Sequence, residues 1–189
     1  MKNDSDGRRC LPGEFDDEPE GFSKMVGLIG IEKTDEYYMG EALKEAKKAF
    51  EKGEVPVAAV IVHQPPSGEA RIIARAHNQV ETLHDATAHA EMIAITQAEA
   101  HLENWRLQDC TIYVILEPCM MCCGAMILSR IKRVCYGAKD EKAGGVESLG
   151  NFLATPGLNH RVEVCSGVRG EECRAILTEF FQKVRADKE

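Results

Sequence analysis

β-Branched runs that alternate with helix-patterned stretches limit what this chain can fold into, because strands separated by helices bury their apolar faces as stacked α/β layers. The runs "VPVAAVIVH" and "ARIIARAHN" flank the turn "QPPSGE" and predict an antiparallel hairpin. "CTIYVILE" predicts a central strand, and "RVCYGA" and "RVEVCSGV" two more. Helical patterns lie around and between them. "TDEYYMGEALKEAKKAFEKG" offers Thr34 as N-cap, acidic residues in its first turn, apolar positions at Tyr38, Leu43, Ala46 and Phe50, and Gly53 as its stop. "AHAEMIAITQAEAHLEN" follows the loop "QVETLHDAT" and suits a buried helix, and "CMMCCGAMILSR" suits a short one. "EECRAILTEFFQKVRA" predicts a closing amphipathic helix with Ile176, Leu177, Phe180 and Val184 on one side. The sum is an α/β domain on a largely parallel sheet that begins with one antiparallel hairpin.

A length of 189 residues suits one domain with a real core and is short for two of ordinary size. Residues 1–33 combine Gly, Pro, Ser and acidic side chains with little apolar periodicity, so they read as a disordered acidic extension before a folded domain over 34–189. The formal charge of −8 argues at first against a nucleic-acid partner, yet residues 1–33 alone hold eight acidic and five basic groups. Between Arg130 and Lys142 the balance reverses: Arg130, Lys132, Arg133, Lys139 and Lys142 stand against Asp140 and Glu141, five minus two, a local excess of +3. A solvated charged turn around a strand explains that run as well as a phosphate contact does. The early apolar run Met25–Ile31 is too short for a secretory leader and lies behind "EFDDEPE", and no stretch approaches the ~20 apolar residues of a membrane span. Eight cysteines in such a chain point to a reducing cytoplasm with free or metal-bound thiols; Cys110, Cys135, Cys165 and Cys173 read as small buried hydrophobes.

The stretch "LEPCMMCCGAM" carries the chemistry. Cys119 and Cys122 are spaced to share one face at the first turn of a helix, Pro118 suits a helix start, and a helix N-terminus favours thiolates. Two thiolates make only half of a tetrahedral zinc site, so further ligands are required. "TAHAEMIA" supplies them: His89 opens a helix, and Glu91 follows two residues later. Positions two apart point roughly 200° away from each other on a helix cylinder, but a site beyond the helix end is approachable by both. One His and two Cys leave a fourth zinc position for water, the arrangement of a catalytic centre. H-A-E at one helix start and P-C-M-M-C at the next match the known H-x-E…P-C-x-x-C signature of zinc nucleobase deaminases. In that chemistry zinc brings the pKa of its water from ~16 toward ~7. Glu91 takes the water proton, delivers it to the ring nitrogen beside the attacked carbon, and helps protonate the departing ammonia.

From about Asp35 to Arg185 the chain resembles the bacterial tRNA-specific adenosine deaminases of the cytidine-deaminase-like superfamily. The stretches that carry the likeness are "GEVPVAAVIV", "HNQVETLHDATAHAE", "LEPCMMCCGAMILSRIKRVCYGAKDEKAGG", "LNHRVEV" and "FFQKVR". The resemblance implies a three-layer α/β/α fold with a five-stranded mixed sheet flanked by helices, a homodimer, one Zn²⁺ per subunit, and conversion of adenosine to inosine at the wobble position of a tRNA anticodon stem-loop. By motif match His89, Cys119 and Cys122 hold zinc, Glu91 shuttles protons and Asn78 hydrogen-bonds the flipped base; an Asn at a strand end is otherwise a common turn former. An anticodon loop is already largely unpaired and cheap to splay outward. Lys183, Arg185 and Lys188 join the basic run as candidate phosphate contacts. The chain departs from the family pattern at Ala58, where Gly is usual, at Ala86, where Pro is usual, and at Cys123, where a small residue such as Ala is common; none removes a catalytic group.

Three other readings compete. The same superfamily deaminates free guanine, cytosine or cytidine, which the acidic net charge favours. A noncatalytic protein with a closed zinc site needs a fourth protein ligand, for which Cys123, Cys135 or His84 is available in sequence. A thiol redox protein built on Cys119 and Cys122 leaves His89 and Glu91 unexplained.

Overall fold

The computed structural model describes residues 33–187, so the predicted acidic extension (all but Lys33) and Lys188 lie outside the described residues. Helix α1 spans Asp35–Glu51; the Thr34 side chain accepts from the Tyr37 N–H at 3.4 Å, and the chain leaves through Gly53 at φ +76. Strands β1 (Ala58–His63) and β2 (Arg71–His77) form the expected antiparallel hairpin, with an irregularity between Ile61 and Val62. A single helical turn, α2 (Val80–Leu83), interrupts the segment read as loop. Then come α3 (Ala90–Leu102), β3 (Cys110–Leu116), α4 (Met120–Leu128), β4 (Arg133–Ala138), β5 (Glu163–Ser166) and α5 (Gly170–Ala186). A short 3-10 turn at Phe152–Ala154, absent from the sequence reading, precedes β5. No helix among the described residues is long and apolar enough to cross a membrane.

The five strands lie in the order β2-β1-β3-β4-β5. β1 pairs antiparallel with both β2 and β3, whereas β3, β4 and β5 run parallel. The sheet is therefore mixed, as expected. β1 is an interior strand flanked by β2 and β3, which explains its unbroken apolar sequence: Ala59 and Ile61 enter one core and Ala58, Val60 and Val62 the other. The first core joins the sheet to α3 and α4 through Ala94, Ile95, Ala98, Cys122 and Met126. The second joins it to α1 and α5 through Tyr38, Met39, Ala42, Cys173 and Leu177. Each fully buried Val or Ile contributes roughly 1.5–3 kcal/mol, so this two-sided burial makes the sheet a stiff platform. Ala58, Cys110, Cys135, Cys165 and Cys173 are all buried as small core residues.

The register decides which loops meet. Ala138 pairs with Leu116 and His77 with Ala58, so the ends of β2, β3 and β4 and the start of β1 lie at one end of the sheet. His63, Arg71, Cys110, Arg133 and Glu163 lie at the other.

Candidate active site

The first of these ends collects every chemistry-bearing residue read from sequence. Cys119 follows β3 and is the N-cap of α4, so Pro118 stands just before the helix and not at its first position. His89 is likewise the N-cap of α3, with Glu91 in the first turn. The extended backbone at His89 breaks the helical progression, and His89 and Glu91 line the same cavity. Asn78, at the end of β2, lines it too.

His89 Nδ1 lies 3.7 Å from Cys119 Sγ and 3.6 Å from Cys122 Sγ, and the two sulfurs are 3.6 Å apart. Around a tetrahedral zinc, bond lengths of ~2.3 Å to sulfur and ~2.0 Å to nitrogen put ligand atoms about 3.5–3.8 Å apart. The triangle fits that ion. Among the described residues this group holds three ligands and no fourth. Cys123 donates instead to the Pro118 carbonyl, Cys135 lies in the core on the other face of the sheet, and His84 ends α2. A closed four-ligand site thus loses each protein ligand proposed for it.

The electrostatics follow from the crowding. Hydrogen bonding from Cys122, with His89 alongside, holds the Cys119 thiol down to about 3, while sharing with Cys119 and burial push Cys122 up. The bond to Cys119 raises His89 above its ordinary value. Glu91 is 3 % exposed, and burial pushes its carboxyl above the usual carboxylate value. Its Oε2 is a buried acceptor without a hydrogen-bond partner. An orphaned carboxylate oxygen beside a three-donor set is where a water or substrate group belongs.

The cavity measures about 240 Å³ and is lined by Val55, Val57, Asn78, His89, Glu91 and Cys119, with Val80, Glu81, Leu116, Glu117, Asp140 and Ala143 completing it. Two buried carboxylates brace its walls, Glu117 from within the lining and Glu54 from behind it. Glu117 is buried; its Oε1 accepts from the N–H groups of Val146, Glu147 and Ser148 at 3.1, 2.7 and 2.9 Å, and its Oε2 from the Asp140 N–H at 3.1 Å and the Ser148 hydroxyl. Burial opposes its ionisation, but these donors prevail and keep its pKa below the ordinary value. The same carboxylate fills the space a Cβ on Gly144 would need. Glu54, 1 % exposed, accepts from Asn78 Nδ2 and from the N–H groups of Glu81 and Thr82. Behind the strand end, His77 places Nδ1 2.8 Å from Glu45 Oε1 and Nε2 3.2 Å from Lys52 Nζ. An ammonium only donates, so Nε2 accepts and Nδ1 donates.

The basic run does not act as one patch. Arg130 and Lys132 precede β4 and Arg133 begins it, at the end of the sheet remote from the cavity, whereas Lys139 and Lys142 follow the strand beside the cavity. Arg133 is committed to Asp35 through two 2.8 Å hydrogen bonds, and Lys139 pairs with Glu147 at 2.8 Å. Lys183 sits over the Phe50 ring at 5.5 Å, near the C-terminal turn of α1.

The model of the MafB19-like deaminase family matches residues 33–185. The tRNA-specific adenosine deaminase of Bacillus subtilis (strain 168) is 53% identical over 154 residues, covering 82% of this chain and 92% of that protein. The chain belongs to the tRNA-specific adenosine deaminase family. The tRNA-specific adenosine deaminase of Aquifex aeolicus (strain VF5) is 52% identical over 150 residues, covering 79% of this chain and 95% of its own. A solved structure from work on A-to-I editing by tRNA:A34 deaminases at the wobble position of transfer RNA superposes with a TM-score of 0.69 at 42% identity, covering 74% of this chain and 98% of that one. The family's cytidine-deaminase-like α/β fold is the one described above.

Proposed function

We propose that this chain is a hydrolytic, zinc-dependent tRNA adenosine deaminase that converts the wobble adenosine of an anticodon to inosine and releases ammonia. The observation that carries this reading is the three-donor set with Glu91 Oε2 buried and unpartnered beside it, within a family of that activity. His89, Cys119 and Cys122 hold the zinc, which supplies Lewis acidity that eases loss of a water proton near neutral pH. Glu91 accepts that proton and returns it to the ring nitrogen next to the attacked carbon, then takes the remaining proton from the newly attached hydroxyl and delivers it to the amine, which leaves as ammonia while the carbonyl forms. Adenosine and water thus become inosine and ammonia. Asn78 hydrogen-bonds the base. A cavity of about 240 Å³ supports entry of a single flipped base, its neighbours remaining outside where Lys139 and Lys142 lie.

The enzyme acts as a homodimer in the cytoplasm. Met120, Gly124 and Leu128 recur every four residues along α4, Met120 and Leu128 are 63% and 75% exposed, and Gly124 has open space around it, which supports a self-association face. No disulfide joins the seven described cysteines, which suits a reducing compartment.

The test is inosine formation by zinc-loaded protein in a synthetic anticodon stem-loop with adenosine at the wobble position, with free adenosine, cytidine and guanine in parallel. Inosine in the stem-loop is expected. Deamination of a free base or nucleoside alone keeps the chemistry and overturns the substrate.

A further inference from the structure

We infer that Glu54 is a positioning residue for the base: it fixes which face Asn78 presents to the cavity and anchors the α2 wall beside it. The inference rests on the deaminase reading above and goes beyond it. Glu54 leaves the chain right after Gly53, whose left-handed φ of +76 turns α1 toward β1. Its carboxylate is 3.1 Å from Asn78 Nδ2, 3.3 Å from the Glu81 N–H and 2.7 Å from the Thr82 N–H. Burial works against its charge, but these donors outweigh burial and keep its pKa below the ordinary value.

A side-chain amide on its own can rotate by half a turn and exchange its donor for its acceptor. A carboxylate only accepts, so Glu54 dictates that Nδ2 faces it; the flipped amide would aim its carbonyl at an anion. The amide's second N–H and its carbonyl are thereby fixed before any base arrives. The same carboxylate caps α2 from outside, since the N-cap residue Gln79 makes no side-chain cap bond. Val80 and Glu81 of that turn line the cavity together with Asn78, so one buried anion orients a polar contact and a wall at once.

The experiment is a double-mutant cycle on zinc-loaded protein with the stem-loop substrate, measuring kcat and KM for wild type, Glu54→Gln, Asn78→Ala and the double variant, with zinc content and thermal midpoint on the same preparations. Glu54→Gln keeps the volume and removes the obligate acceptor. Its kcat/KM is expected to fall by about 10–100-fold with zinc retained, the scale of a misplaced binding group. In the Asn78→Ala background the same change is expected to cost less than about threefold, because the amide it orients is gone and only its hold on the α2 turn remains to be lost. Losses that multiply, or a Glu54→Gln protein with wild-type kcat/KM, overturn the inference. Should Glu54→Gln fail to fold, Glu54→Asp, which keeps the charge on a shorter arm, is read through the same cycle. A wild-type protein that leaves the stem-loop unchanged overturns the functional reading instead.

Discussion

Glu91 differs from every other glutamate near the cavity in having a buried oxygen without a partner, whereas Glu54 and Glu117 are saturated with donors. Glu91→Gln removes the proton carrier without changing size. Stem-loop deamination should drop by about 10²–10⁴-fold, the usual range for losing a general acid–base, while zinc measured by atomic absorption stays near one per chain. For Glu117 the consequence is stability. Its pKa is depressed in the folded protein, so its stabilisation is complete above the ordinary glutamate value of 4.5 and is lost as pH falls through the lower folded value. Thermal melts should show a midpoint that declines on acidification below 4.5, and Glu117→Gln should lower the midpoint at neutral pH and flatten that decline. His89, Glu91, Cys119 and Cys122 were legible in the sequence because each pair sits within four positions of a helix start. Glu54 and Glu117 were not. Their partners lie 24–28 and 23–31 positions away, and a lone glutamate in a string looks like any solvated one.

At the scale of elements, the strands and long helices were read almost to their ends, since β-branched runs and caps are local signals. α2 escaped for a physical reason. A single turn carries too little periodicity to detect, and the group that caps its N-terminus comes from the α1–β1 connection. The basic run shows the opposite case: contiguous in sequence, it is divided between the two ends of the strand running through it. Arg133 serves α1. It holds Asp35 bidentately, and the Tyr113 hydroxyl adds a third bond to Asp35 Oδ1 at 2.8 Å. Asp35→Ala should therefore cost roughly 1.5–3 kcal/mol in urea denaturation, the scale of charge-assisted bonds to a half-buried group, while stem-loop kcat/KM changes by less than about twofold because distant sites are largely independent.

For the whole molecule, three parallel strands and a reversed hairpin bring loops from both halves of the sequence to one end of the sheet. The outer face of α4, where Met120 and Leu128 are exposed, is the face proposed for a second copy. Leu128→Glu, placed where the side chain is 75% exposed, should leave the fold intact and shift sedimentation equilibrium from the two-chain toward the one-chain mass. A monomer at micromolar concentration in the unmodified protein would overturn the dimer. The cavity's wall over residues 140–148 is fastened by one buried carboxylate to the end of β3, and Gly144 is seated against that carboxylate with no space to spare. That wall is finished when the chain finishes folding. An arriving anticodon loop should therefore find this wall already in place, and its closure should add no slow step to the encounter.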